Sequence, residues 1–74
     1  MTEHWTADEA SLLQQLRQAA GLDTSRFAME SAISQAQLLQ LENGGDTLFY
    51  SPAIKAHLGR TLIAKLQNRP RSAI

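Results

Sequence analysis

The chain predicts an all-α fold, a compact bundle of four to five helices, and three observations carry that expectation. Residues able to cap a helix stand at Thr6, Asp23, Ser34 and Ser51, each just ahead of a run with apolar residues at helical spacing. Gly21 and Gly44-Gly45 follow such runs, where a helix needs a stop. Apolar and polar residues do not alternate with the period of two that marks a strand.

The first helix begins at a capping box, Thr6-Ala-Asp-Glu9, in which the Thr6 hydroxyl accepts from the Glu9 amide and the Glu9 carboxylate reaches back to the Thr6 amide. Asp8 and Glu9 suit the positive end of the helix dipole, and Trp5 is placed to fold against Ala10 as a hydrophobic staple. Leu13, Leu16 and Ala20 make an apolar stripe, so the spacing predicts a helix over 7–20. Asp23 opens a second helix over about 24–31 that carries Phe27 and Ala28 inward. Ser34 with Gln37 forms another capping box and starts a third helix at Gln35, which Asn43-Gly44-Gly45 ends. Residues 45–50 read as a loop in which Leu48 and Phe49 close the core. Ser51-Pro52 places proline at a first helical position, where its missing amide costs nothing. Ile54, Leu58, Leu62 and Leu66 recur every four residues, which predicts one helix over 52–67. Gly59 in its middle costs roughly 1 kcal/mol relative to alanine and marks a place for a break. Residues 68–74 read as a flexible tail, with Pro70 blocking further helix.

With 74 residues the chain affords a single domain, its core spanning about 5–67, near the lower limit at which a chain buries a core unaided. There is no cysteine, so disulfides and thiolate metal sites are excluded, and His4 and His57 make no zinc cluster. No metal or cofactor is expected. No apolar run approaches a membrane span and the first residues do not pattern as a signal peptide, so a cytoplasmic location is expected. Neither a nucleophile–base pair nor a carboxylate pair nor a glycine-rich phosphate loop is present, which argues against an enzyme.

Net charge is zero, yet residues 1–46 hold all seven acids against Arg17 and Arg26, whereas 47–74 hold Lys55, Arg60, Lys65, Arg69 and Arg71 and no acid. Either these ends attract each other or stay solvated, or a basic C-terminal edge touches phosphate.

Residues 23–44 have the spacing of a helix-turn-helix, whose second helix sets the side chains of its first turns against base edges in the DNA major groove. Here those side chains are Gln35, Ala36, Gln37 and Gln40. A glutamine amide pairs bidentately with adenine, and alanine packs on a thymine methyl. Glutamine is equally a good surface helix former.

The stretch Leu16-Arg-Gln-Ala-Ala-Gly-Leu22 through Ser34-Gln-Ala-Gln-Leu-Leu-Gln-Leu-Glu-Asn-Gly44 resembles the DNA-binding domain of the lambdoid phage repressors and Cro proteins, a family widespread among bacterial regulators. The resemblance covers about 13–45 well and 51–66 loosely, and is specific at Ala28, Ile33, Leu38 and Gln40-Leu-Glu-Asn-Gly44. It implies a lambda repressor-like helical bundle that reads DNA, binding as a homodimer to two half-sites, in a transcriptional regulator. By position it assigns base reading to Gln35, Ala36, Gln37 and Gln40, and phosphate contact to Thr24 and the backbone at Asn43. Arg26 is a further candidate for phosphate. Arg17 and Glu42 match a pair that forms a partly buried salt bridge in some members. The chain departs from the family at Ala32, where glycine is usual, at Ser31, where an apolar residue is expected, and at Leu39, normally polar. Residues 35–50 contain no lysine or arginine. Bacterial cell-shape proteins that anchor an actin-like filament contain a related domain, and the loop Leu48-Phe49-Tyr50 followed by a basic helix is similar to theirs. That resemblance implies protein contact through Leu39, Phe49 and Tyr50. Leu12, Leu39 and Ile63 are spare apolar residues, open to an interface or to solvent.

Overall fold

A computed structural model describes residues 4–68, which hold four helices: α1 (Ala7–Ala19), α2 (Thr24–Glu30), α3 (Gln35–Asn43) and α4 (Pro52–Gln67). The described residues form no strand. Helix α1 packs on α4 and α3, and α2 packs on α3. Leu13, Phe27, Leu38 and Leu41 are fully buried where these helices meet, joined by Leu62, Ile63 and Leu66 from α4.

Each helix starts where its cap dictates. The Thr6 hydroxyl accepts from the Glu9 amide at 3.1 Å, and Glu9 Oε1 accepts from the Thr6 amide at 3.1 Å. Ser34 and Gln37 repeat the arrangement at α3, with distances of 3.0 and 3.1 Å. Asp23 and Ser51 cap α2 and α4 by accepting from Arg26 N and Ile54 N.

Helices α1 and α2 end in the same way. The Gly21 amide donates to Gln18 O and the Leu22 amide to Arg17 O; the Ala32 amide donates to Met29 O and the Ile33 amide to Ala28 O. Each is a Schellman motif, in which one residue turns left-handed and the next, apolar, folds back onto the helix it leaves. Leu22 is thereby buried and Ile33 packs on the core. The left-handed residue is Gly21 (φ 73°) after α1, but Ala32 (φ 58°) after α2, where a Cβ is strained.

Several expectations need correction. Ala20 is exposed and closes α1 as its C-cap. Ile54 is exposed, whereas Ile63, expected to be spare, is in the core. A stripe at every fourth residue drifts about 40° per step around a helix of 3.6 residues per turn, so Ile54 lies about 120° from Leu66. The buried face of α4 instead runs through Lys55, Ala56, Gly59, Leu62, Ile63 and Leu66. Phe49 packs against the core, but Leu48 is 44% exposed. Asn68 caps α4, its amide donating to Ala64 O, and the remainder of the expected tail lies outside the described residues.

Helix α4 does not break at Gly59. The Trp5 ring lies directly on that glycine, so close that a Cβ would overlap it, while the indole Nε1 donates to Leu41 O at 2.6 Å. Trp5 thus ties the segment before α1 to both α3 and α4, a wider role than the expected local staple.

Two substitutions test these backbone arguments with opposite signs. Gly59→Ala should lower stability by about 1–3 kcal/mol despite alanine's better helix propensity, because the overlap with Trp5 outweighs it. Ala32→Gly should raise stability by about 0.5–1 kcal/mol, relief of the left-handed strain exceeding the added unfolded-state entropy. Urea midpoints at constant m-value read both.

Candidate nucleic-acid interface

The α2–turn–α3 unit is fixed at both ends. At its far end the Arg17 guanidinium makes a bidentate pair with Glu42, Nε to Oε2 at 2.7 Å and Nη2 to Oε1 at 3.0 Å, and its Nη1 donates to Leu22 O at 2.8 Å. The two side chains are only 9% and 1% exposed. The Glu42 carboxylate's hydrogen bonds raise the Arg17 pKa against the effect of burial, so the guanidinium stays charged. This joins the end of α1, the Leu22 turn and the end of α3. At the near end Gln35 Nε2 donates to Thr24 Oγ1 at 2.8 Å, linking the first turns of α3 and α2.

With Leu38, Leu41 and Glu42 turned inward, the outer face of α3 presents Gln35, Ala36, Leu39 and Asn43, all exposed. Arg26 is exposed on α2, where it pairs with Glu30 one turn on at 3.3 Å. Of the residues singled out from the sequence, Gln35, Ala36 and Asn43 therefore share the outer face of α3, and Thr24 of α2 joins its first turn through Gln35.

Gln37 and Gln40 are placed differently. Gln40 Nε2 donates to Thr47 Oγ1 at 2.7 Å, while its Oε1 accepts from the Leu48 amide at 3.1 Å. Gln37 Oε1 completes the capping box, and its Nε2 donates to Leu48 O at 3.4 Å. Both carboxamides hold the loop after α3. That loop passes so close that a Cβ on Gly45 (φ 110°) would press on the Gln40 side chain.

The basic residues of α4 also face inward partners. Lys55, buried with a side chain 9% exposed, donates from Nζ to Gly45 O and to Asp46 Oδ1, both at 2.8 Å, and lies 5.7 Å from the centre of the Phe49 ring. Arg60 grips Glu9 at 2.6 and 3.2 Å and donates to His4 O at 3.2 Å. Lys65 donates to Glu30 O at 2.8 Å, at the negative end of α2, and stands 5.8 Å from the Phe27 ring. Among the described residues all five lysines and arginines touch a protein oxygen. The two charged halves of the sequence thus contact each other across the fold, partly at its surface; Arg69 and Arg71 lie outside the described residues.

Sequence reasoning missed the loop partners Thr47 and Leu48 and the buried Lys55. None has a local signal, because each depends on the loop folding back along α3. Among the described residues no group of histidines and acids could hold a metal, and no helix is long and apolar enough to cross a membrane. Comparison of the chain with protein-family models, with curated proteins and with solved structures finds no match.

Removing one partner of the buried pair strands the other charge. Arg17→Met should cost about 3–5 kcal/mol, measured by denaturant unfolding, with Glu42→Gln similarly harmful. A second expectation concerns pH. Arg60's hydrogen bonds, helped by those from Thr6 and opposed by partial burial, hold the Glu9 carboxyl below its usual range. A depressed carboxylate contributes stability above its unfolded pKa and loses it as pH falls through the folded value. The stability advantage of the native protein over Glu9→Gln should therefore be present at pH 7 and be lost progressively as pH falls below the ordinary glutamate range.

Proposed function

We propose that the chain is a helix-turn-helix DNA-reading module of the lambda repressor-like kind, as found in bacterial transcriptional regulators. The observation that carries this reading is the exposed first turn of α3 tied to α2 by the Gln35–Thr24 hydrogen bond. With one amide hydrogen on Thr24, Gln35 keeps the other hydrogen and its Oε1 for an adenine edge, and Ala36 beside it suits a thymine methyl. Thr24, Arg26 and Asn43 flank this pair as the phosphate contacts. The α4 cations are engaged internally, so grip on phosphate is weak and the module acts paired, as a homodimer on two half-sites.

A second reading is supported by Leu39, 40% exposed in the middle of the α3 outer face, and by the outward Leu48 and Tyr50, the latter 94% exposed. An exposed leucine there suits a protein surface better than a phosphate backbone, in line with the cell-shape proteins that reuse this kind of domain.

Titration with mixed-sequence duplex DNA at low salt, followed by amide shifts, separates the two. DNA reading requires shifts at Thr24, Gln35, Ala36 and Asn43, and Gln35→Ala should weaken binding about 5–100-fold at the preferred sequence. An absence of shifts at those residues would overturn it in favour of protein contact.

A further inference from the structure

We propose that the loop Gly44–Tyr50 is an autoinhibitory clasp closed along α3, which holds Gln37, Gln40 and Lys55 on protein partners and releases the Gln40 carboxamide, the Gln37 amide nitrogen and one ammonium to nucleic acid when it opens. The inference rests on the DNA-reading assignment. Five hydrogen bonds close the clasp: Gln40 to Thr47 and to the Leu48 amide, Gln37 to Leu48 O, and Lys55 to Gly45 O and Asp46.

The segment has the construction of a moving part. Gly44 and Gly45 both have positive φ and form a hinge that other residues would stiffen. At the other end Phe49 stays packed on the core, and Ser51 caps α4. Between these ends Gly45, Asp46, Thr47 and Leu48 are all exposed, so lifting them gives up no buried side chain of the loop itself. What opening exposes instead is polar. Gln37 and Gln40 project from the helix that carries the reading face, and Lys55 is the one buried lysine among the described residues. Closed, the clasp fixes the Gln40 carboxamide on Thr47 and the Leu48 amide, so it is not free to turn into the bidentate alignment that adenine requires. Asp46 meanwhile neutralises Lys55. Opening changes both the hydrogen-bonding capacity of the α3 face and the charge beside it.

The test removes the latch without touching the released groups. Asp46→Asn/Thr47→Val deletes the Lys55 ion pair and the Thr47 acceptor, and Thr47→Val alone is the milder variant. Solvent exchange of the Leu48 amide, read by NMR without DNA, should quicken about fivefold or more, with Trp5 fluorescence unchanged. Affinity for mixed-sequence duplex DNA should rise about threefold or more, and Gln40→Ala in the open background should cancel the gain. Unchanged Leu48 exchange overturns the clasp. Faster exchange with DNA binding equal to that of the native protein shows a loop that does not gate, and overturns the clasp while leaving DNA reading intact. Failure of every variant and of the native protein to bind DNA overturns the DNA reading and the gate together.

Discussion

The buried pair between Arg17 and Glu42 is the constraint on which the arrangement depends. A guanidinium and a carboxylate withdrawn from water are tolerated only when each is fully hydrogen-bonded, and here two parallel bonds and a third to Leu22 O meet that demand. Satisfying it places the last turn of α1, the residue after its Schellman turn and the last turn of α3 in one spot. Once the end of α3 is fixed, its first turn is set by the Ser34 capping box and by Ile33, which the end of α2 folds back onto the core. The exposed face of α3 follows from these anchors.

Electrostatics tie the parts of the molecule together. Arg60 joins α4 to the start of α1 through Glu9, Lys55 joins α4 to the loop after α3, and Lys65 joins it to the end of α2. One helix therefore uses three cations to hold the three other parts of the chain. These contacts stabilise a small fold that has no cysteine to form a disulfide, and the same contacts withdraw positive charge from any phosphate partner.

Much of this was legible in the sequence where the signal is local. Caps at Thr6, Asp23, Ser34 and Ser51 set the helix starts, and Gly21 the first stop, because capping acts over three or four residues. Arg17 and Glu42 were legible only through the family resemblance. Contacts made across the fold were not. Nothing near Trp5 reveals that it rests on Gly59, although a glycine in the middle of a long helix is a hint that something approaches closely. Leu22 had a signal that went unread, an apolar residue directly after the glycine that stops a helix. The α4 face was misread at Ile54 because a four-residue period drifts around a real helix. Of the site, Gln35 and Ala36 are exposed where spacing put them, while the engagement of Gln37 and Gln40 depends on a loop whose path no local pattern gives.

The measurement that bears most directly on the account is the salt dependence of DNA binding. If Arg60 and Lys65 stay in their internal pairs, only Arg26 and a released Lys55 of each protomer meet phosphate, and log K against log salt should have a slope of about −1 to −2 per protomer. A slope of about −4 or steeper per protomer that Arg60→Gln and Lys65→Gln make shallower would mean that Arg60 and Lys65 leave Glu9 and the end of α2 to grip the backbone, contradicting the internal pairing described for this fold.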